Sequence, residues 1–276
     1  PPDVRGNRFL CAGRDEFNDL ARVAPMRDKR SSTVTDTFKT MTRGMVIRLV
    51  RPDWGKEFEG RFEAHCRRHD IDLERGLARR PQTHGRAERW HRTLEEGTRC
   101  SLQQSGFSHQ WWSFAAVHWC EGWNRTARDE RGSPFFRWTG AESEVVLRPF
   151  GSRVTYLKDG PSTLQHLPKF EPRGASGLVV GYGQYSSMMV IDLEAFVQRG
   201  KMDVVLTRDV RVPGGAPTYP LREILKGTHP EVDWHFRLPC ETSVGDGDGP
   251  TDGHERCKTC DKIVSLEEIT CEACLA

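Results

Sequence analysis

The chain has 276 residues, enough for two compact units and a small satellite and too many for one average core. Forty-one Lys and Arg against thirty-nine Asp and Glu leave a formal charge of +2, so bulk charge selects no class of partner. No apolar run approaches the roughly eighteen residues that cross a bilayer, and no charged-then-apolar leader opens the chain, which excludes a helical membrane protein and predicts a soluble, intracellular one.

Pro1-Pro2-Asp3 opens without a methionine and with no strand before it, which suggests a fragment. Two alternating runs over 9–13 and 20–24 flank the polar residues 14–19 and predict a hairpin. The spacing of Val34, Phe38 and Met41 predicts a helix over 31–42, with Ser32 positioned to cap it. Residues 45–50 predict a short apolar strand. Its end delivers Pro52-Asp53-Trp54-Gly55-Lys56-Glu57-Phe58, a carboxylate and a glycine turn just past the strand. A helix over 58–69 turns Phe62 and Cys66 inward and Arg61, Arg67 and Arg68 outward.

A loop marked by Pro and Gly then ends in Pro81-Gln82-Thr83-His84-Gly85 and launches a helix over 86–104. Glu88 lies in its first turn, where the helix dipole favours an acid in any case. Between residues 75 and 92 stand six arginines (Arg75, Arg79, Arg80, Arg86, Arg89, Arg92) and the single acid Glu88; such a basic stripe suits a phosphate backbone. In the next helix, with Ser108 at its cap, Trp112, Ala115, Ala116, Trp119 and Trp123 recur at threes and fours, which predicts one packed face rather than a cofactor or base-stacking surface. Beyond Phe150 the pattern shortens to strands over 153–157, 177–181, 188–192, 203–205 and 210–212, a small all-β barrel. Residues 214–250 are loop-rich and then acidic, with five acids and no Lys or Arg over 240–255, the composition of a linker. No repeat of solenoid period is present.

Several of these segments resemble a known family. Pro52-Asp53-Trp54-Gly55-Lys56-Glu57-Phe58 resembles the T-D-N-G-x-E-F signature of copia-type retrotransposon integrases, and Pro81-Gln82-Thr83-His84-Gly85-Arg86-Ala87-Glu88-Arg89 resembles their P-Q-x-N-G-x-A-E-R. Trp90-His91-Arg92-Thr93-Leu94 continues the family's helix, and Asn124-Arg125-Thr126 and Ser133-Pro134-Phe135 are similar to its N-R-T and T-P-Y segments. The hairpin over 7–29 is similar to the family's second and third strands. Arg148-Pro149-Phe150-Gly151-Ser152 and Thr207-Arg208-Asp209-Val210 resemble the borders of the Src-homology-3-like barrel that follows the core. The ordered set covers residues 7–212, and it is specific as a set although each motif alone is weak.

The resemblance implies an α/β fold: a ribonuclease-H-like integrase core, N-terminally truncated with its first strand missing, then an SH3-like β-barrel. The corresponding divisions are 1–128 for the core, 129–147 for a connecting segment, 148–213 for the barrel, 214–253 for a partly disordered linker and 254–276 for a zinc ribbon. Integrases of this kind use two aspartates and a glutamate to hold two Mg²⁺ or Mn²⁺ ions about 4 Å apart against a reacting phosphate, and hard cations choose such oxygen ligands. By resemblance Asp53 matches the second aspartate and Glu88 the glutamate, with thirty-four residues between them. Arg79, Arg80, Arg86, Arg89 and Arg92 would carry phosphates. The implied partners are retroelement ends and target DNA and further copies of the chain, with no membrane; a working integrase would be nuclear.

Three features depart from the pattern. The first aspartate, usually within D-x-x-G-P on a strand before the hairpin, has no counterpart; Asp3 falls where the family has a loop and Asp15 where it has a hairpin turn. Trp54 and His84 replace small turn-forming asparagines beside Asp53 and Gly85. Loss of one carboxylate of three predicts weak metal binding and no turnover.

Nine cysteines include Cys257-x-x-Cys260 and Cys271-x-x-Cys274, ten residues apart. Two such pairs in a reducing compartment point to four thiolates around one structural Zn²⁺, a closed site without an open catalytic position. A segment this short lacks a core of its own without metal. Retroviral-type integrases carry a His and Cys zinc domain ahead of the core and not a four-Cys module after the barrel, so no role transfers to this tail; nucleic acid and protein are both open as partners, and its acidic balance favours a protein. Three readings stay open: an integrase-derived DNA-binding protein, a strand transferase whose first aspartate lies upstream, and a non-catalytic protein-interaction scaffold built on barrel and ribbon.

Overall fold

The computed structural model describes residues 1–53, 55–74, 85–157, 173–184, 186–226, 254–257 and 262–265. The chain divides into two compact units, one made of Pro2–Gly97 with Trp119–Ser143 and the other of Pro1, Thr98–His118 and Glu144–Ala276. We call them the hairpin unit and the sheet unit.

In the hairpin unit, β1 (Phe9–Arg14) pairs antiparallel with β2 (Ala21–Met26), Phe9 facing Met26 and Arg14 facing Ala21. The connecting turn is held by its own side chains: Asp15 Oδ1 accepts the N–H groups of Phe17 and Asn18, each at 2.9 Å. Asn18 Oδ1 accepts that of Leu20 at 2.8 Å. Such local bonds are why Asp and Asn suit turns. The hairpin and the helices α1 (Ser31–Met41) and α2 (Arg61–Arg68) share a core of Met26, Val34, Phe62 and Cys66. Phe62 meets Phe38 and Phe58 edge-on at 5.2 Å each, a favoured aromatic geometry.

Two local expectations are corrected. The strand predicted over 45–50 shrinks to β3 (Leu49–Val50), paired parallel with β4 (Asp72–Leu73); Val46 is 89% exposed, so an apolar run alone makes no strand where no neighbour offers a ladder. Ser32 does not cap α1. The N-cap is Arg30, without a side-chain bond, while the hydroxyl of Ser31 donates to Glu59 O and accepts Phe62 N–H, tying the start of α1 to the start of α2.

Helix α3 (Gly85–Ser105) buries Trp90, Leu94, Thr98 and Ser105, a 3.6-residue stripe. It meets α4 (Trp112–Arg125) where Gly97 faces Trp119: a Cβ on Gly97 would fall 2.0 Å from the indole nitrogen. The tryptophan stripe is only half as predicted. Ala115 and Ala116 are buried but Trp112, Trp119 and Trp123 are half-exposed, and the fully buried indole is Trp111, one residue ahead of the helix. Ser108 precedes the single 3-10 turn His109–Trp111 and makes no capping bond, so the helix starts later than its serine suggested.

The sheet unit contains β5 (Arg153–Leu157), β6 (Gly174–Tyr182), β7 (Met188–Asp192), β8 (Val204–Thr207) and β9 (Val210–Arg211). They form one antiparallel sheet in the order β8-β7-β6-β5-β9, within a residue or two of most predicted strands. Val154, Tyr156, Val179, Tyr182, Met188 and Val190 make its core. Sequence reading missed α6 (Leu193–Arg199), which follows β7 without a loop. Its signals were present: Asp192 Oδ1 accepts Ala195 N–H at 2.7 Å as an N-cap, and Gly200 closes it in the left-handed conformation, φ 64°. Two further short helices begin with proline at the first turn, α5 (Pro134–Thr139) and α7 (Pro220–Leu225). Near the C-terminus β10 (His254–Cys257) pairs antiparallel with β11 (Lys262–Ser265).

Candidate functional site

Asp53 leaves the sheet three residues after β3, whose Val50 packs on the hairpin-unit core. Pro52 is buried and Asp53 exposed, so the chain is anchored up to the residue before the carboxylate and turned outward at it. Asp53 Oδ1 accepts the N–H of Gly55 at 3.0 Å, an Asx turn that fixes the carboxylate but leaves its second oxygen outside that bond. Just upstream, Arg51 donates to Glu16 Oε2 at 2.5 Å and to Glu74 Oε2 at 2.9 Å. Bonding to Glu74, with Glu16 close by, raises the Arg51 pKa further. These partners lie 35 and 23 residues away, and no local pattern announces them.

Glu88 stands exposed in the first turn of α3, in the same unit as Asp53. Arg86 lies in that turn too, and Arg89 and Arg92 are exposed behind Glu88. Trp90, buried between them, roots this end of the helix. Arg79 and Arg80 fall outside the described residues, as do Trp54 and His84. Of the four candidate zinc ligands, Cys257 ends β10 with Lys262 as its cross-strand partner; Cys260, Cys271 and Cys274 lie outside the described residues.

A two-ion centre needs three converging carboxylates. Among the described residues no group of three or more His, Cys, Asp or Glu is placed to hold a metal ion. Asp3 and Asp15, the two acids that could stand in for the missing aspartate, are engaged in turns. Asp3, 5% exposed, accepts Arg5 N–H at 2.9 Å, Asn7 N–H at 2.6 Å and the Asn7 amide at 2.9 Å, and Asp15 closes the hairpin. The described donor set therefore does not fit two divalent ions.

The remaining motif residues build structure. Asn124 acts as a clip: its Oδ1 accepts Ala21 N–H at 2.8 Å and its Nδ2 donates to Ala21 O at 2.7 Å, all buried. Arg125 pairs with Glu121 and stacks over Phe135 at 5.5 Å. Ser133 accepts Phe136 N–H at 3.1 Å with Pro134 at the first turn, a helix start.

No family model matches the chain. Over 183 residues, 61% of its length, it is 25% identical to the truncated transposon Ty1-A Gag-Pol polyprotein of Saccharomyces cerevisiae, covering 14% of that protein. Over 149 residues, 51% of its length, it is 29% identical to the retrovirus-related Pol polyprotein from transposon TNT 1-94 of Nicotiana tabacum, covering 10% of it. The chain thus spans about a tenth to a seventh of the curated relatives it matches. Among solved structures it is similar to the catalytic core domain of BIV integrase, with a TM-score of 0.39 and 18% identity over 46% of this chain and 82% of that one. The HTLV-2 integrase catalytic core domain in complex with magnesium, in a trimeric form, gives a TM-score of 0.38 and 16% identity over 47% of this chain and 81% of that one.

The chain is a homologue of part of these retroelement polyproteins, and its described elements mix helices and strands. Over 51–61% of its length the chain is thus similar to transposon Gag-Pol and Pol polyproteins. Among the described residues no helix is long and apolar enough to cross a membrane.

Proposed function

We propose that this chain is an integrase-derived DNA-binding protein that grips the phosphate backbone through the outer face of α3 and does not itself transfer strands. The observation that carries this is the exposure of Arg89 and Arg92 behind Glu88, in a chain homologous to copia-type polyproteins. Arg86 in the same turn and Arg79 and Arg80 ahead of it would extend the contact. Guanidinium forks match phosphate oxygens, and neutralising phosphates releases counterions, so the binding is salt-sensitive and largely blind to sequence. In this reading Asp53 and Glu88 are ancestral Mg²⁺ or Mn²⁺ ligands left without a third carboxylate, and copies of the chain associate on DNA inside the nucleus. Residues 1–128 form the core, 129–147 the connection and 148–213 an SH3-like barrel around the antiparallel sheet. The test is fluorescence anisotropy with a random duplex at 50 and 200 mM salt. Arg89→Glu with Arg92→Glu is expected to weaken binding about tenfold and to lower the salt slope by about two; unchanged affinity and slope would remove the proposal.

The tail, 254–276 after the linker 214–253, is proposed to be a four-Cys ribbon holding one structural Zn²⁺, and it would offer a surface to a protein partner. The pairing of β10 with β11 supports this, because Cys257, the first cysteine of the Cys-x-x-Cys segment, ends β10, and such a spacing suits a zinc knuckle. Metal analysis of the purified full chain should find one zinc per chain, lost in Cys257→Ser/Cys260→Ser. A metal-free wild type would exclude the ribbon.

A further inference from the structure

The turn of the hairpin carries a cluster that the integrase motifs do not account for. Asp19, held at φ 62°, sits among three arginines: its carboxylate lies 2.8 Å from Arg137 Nη1, 3.5 Å from Arg14 Nη2 and 3.8 Å from Arg131 Nη2. Its carbonyl accepts the indole N–H of Trp123 at 3.3 Å. A fourth arginine, Arg128, donates to Trp123 O at 2.8 Å and sits over the Trp123 ring with its Cζ 3.4 Å from the centroid. One carboxylate cannot neutralise this group. Arg14, Arg128, Arg131 and Arg137 face Asp19 and Asp129, four charges against two, leaving +2, and exposed Glu130 on the loop lowers this to +1. Burial, and to a lesser extent Arg137 and Arg14, draw the Arg128 pKa down against the opposing pull of Asp19 and Asp129. Arg137 Nε is buried with no hydrogen-bond partner.

Aromatic surface adjoins these cations. Trp138, 37% exposed, carries Arg22 over its face at 5.3 Å, and Phe136, 38% exposed, lies against Gly132, next to Arg131 in the chain. Arginine stacked on aromatic rings keeps its in-plane donors free for an anion, and exposed rings beside it offer faces for bases. An acidic protein segment would use the charge but has no need of the rings.

We infer that the corner formed by Asp19, Arg14, Trp123, Arg128, Arg131 and Arg137 is a second phosphodiester-binding surface, separate from α3, on which Asp19 holds the arginines in place for a nucleic-acid strand. It rests on the reading of the chain as a DNA-binding protein and extends it to a different face. Arg128 and Arg131 are its exposed contacts; Asp19 and Arg137 are positioning residues.

The experiment compares the full chain with Arg128→Glu/Arg131→Glu and with Arg89→Glu/Arg92→Glu, using fluorescein-labelled random duplex and single-stranded oligonucleotides from 50 to 200 mM salt. Thermal unfolding serves as a check on folding, and Arg128→Gln/Arg131→Gln stands in if charge reversal prevents it. Charge reversal at Arg128 and Arg131 should weaken binding about tenfold and reduce the salt slope by about two, one per lost phosphate. If this pair binds like wild type while the α3 pair weakens, the second surface is overturned and the α3 reading stands. The converse result keeps the surface and removes the role of α3, and absence of any binding by the wild type removes both. A polyglutamate peptide that binds wild type but not the Arg128/Arg131 variant, with oligonucleotide binding unchanged, would reassign the corner to acidic proteins and overturn the inference.

Discussion

The two units stay folded by different means. The sheet unit buries two ionisable groups, Asp192 and His118, and satisfies both with near neighbours. Asp192, 8% exposed, caps α6 and accepts the Tyr156 hydroxyl at 3.0 Å. His118, 7% exposed, bonds through Nε2 to Arg148 O at 2.9 Å and stacks on Tyr182 at 5.0 Å, and the Tyr182 hydroxyl donates to the same carbonyl at 2.8 Å. The hairpin unit carries many of its charges in exposed pairs such as Arg51 with Glu16 and Glu74, and is also held by buried neutral clips such as Asn124. Exposed pairs add little stability and are screened by salt. A surface rich in such pairs can exchange an internal partner for a phosphate at small cost, whereas the sheet unit's buried groups cannot.

The comparison breaks most visibly at Asn124. Asn124→Ala strands the buried N–H and C=O of Ala21 together, which is expected to cost about 3 kcal/mol, since each unsatisfied group costs about 1–3 kcal/mol. Urea unfolding would show the midpoint fall; a change under 1 kcal/mol would mean that water replaces the clip. A smaller effect sharpens the contrast from the other side. Burial lowers the His118 pKa to about 4 against the bond to Arg148, below an unfolded value of about 6.5. The neutral ring is therefore favoured on folding: stability is fully present above pH 6.5 and drains away as pH falls toward 4. Between pH 6.5 and 5 the loss is about 2 kcal/mol, at about 1.4 kcal/mol per pH unit. His118→Gln, which keeps an amide donor, should flatten that slope, and an unchanged slope would place the titration elsewhere.

Legibility in the sequence followed the range of the interactions. The hairpin, α2 and most of the sheet were readable because a period of two or near four in apolar residues is itself the cause of burial. Helix α6 was obscured because Leu193 to Val197 continue the apolar run of β7; only Asp192 and Gly200 mark the change. The strand over 45–50 failed for the opposite reason, an apolar run with only β4 to pair it. Asp53 and Glu88 came from motif and order, and the structure adds their exposure and the Asx turn at Asp53. The arginine corner was invisible, since Arg14 and Asp19 meet Arg131 and Arg137 only after more than a hundred residues of chain have folded back.

Asn124 has one more effect. Ala21 opens β2, and in an isolated hairpin its outward N–H and C=O would be the first rung offered to any passing strand. The amide of Asn124 mimics that rung and occupies it with a side chain that cannot propagate a ladder. The strand margin is thereby sealed at its leading end against fusion with another molecule's sheet.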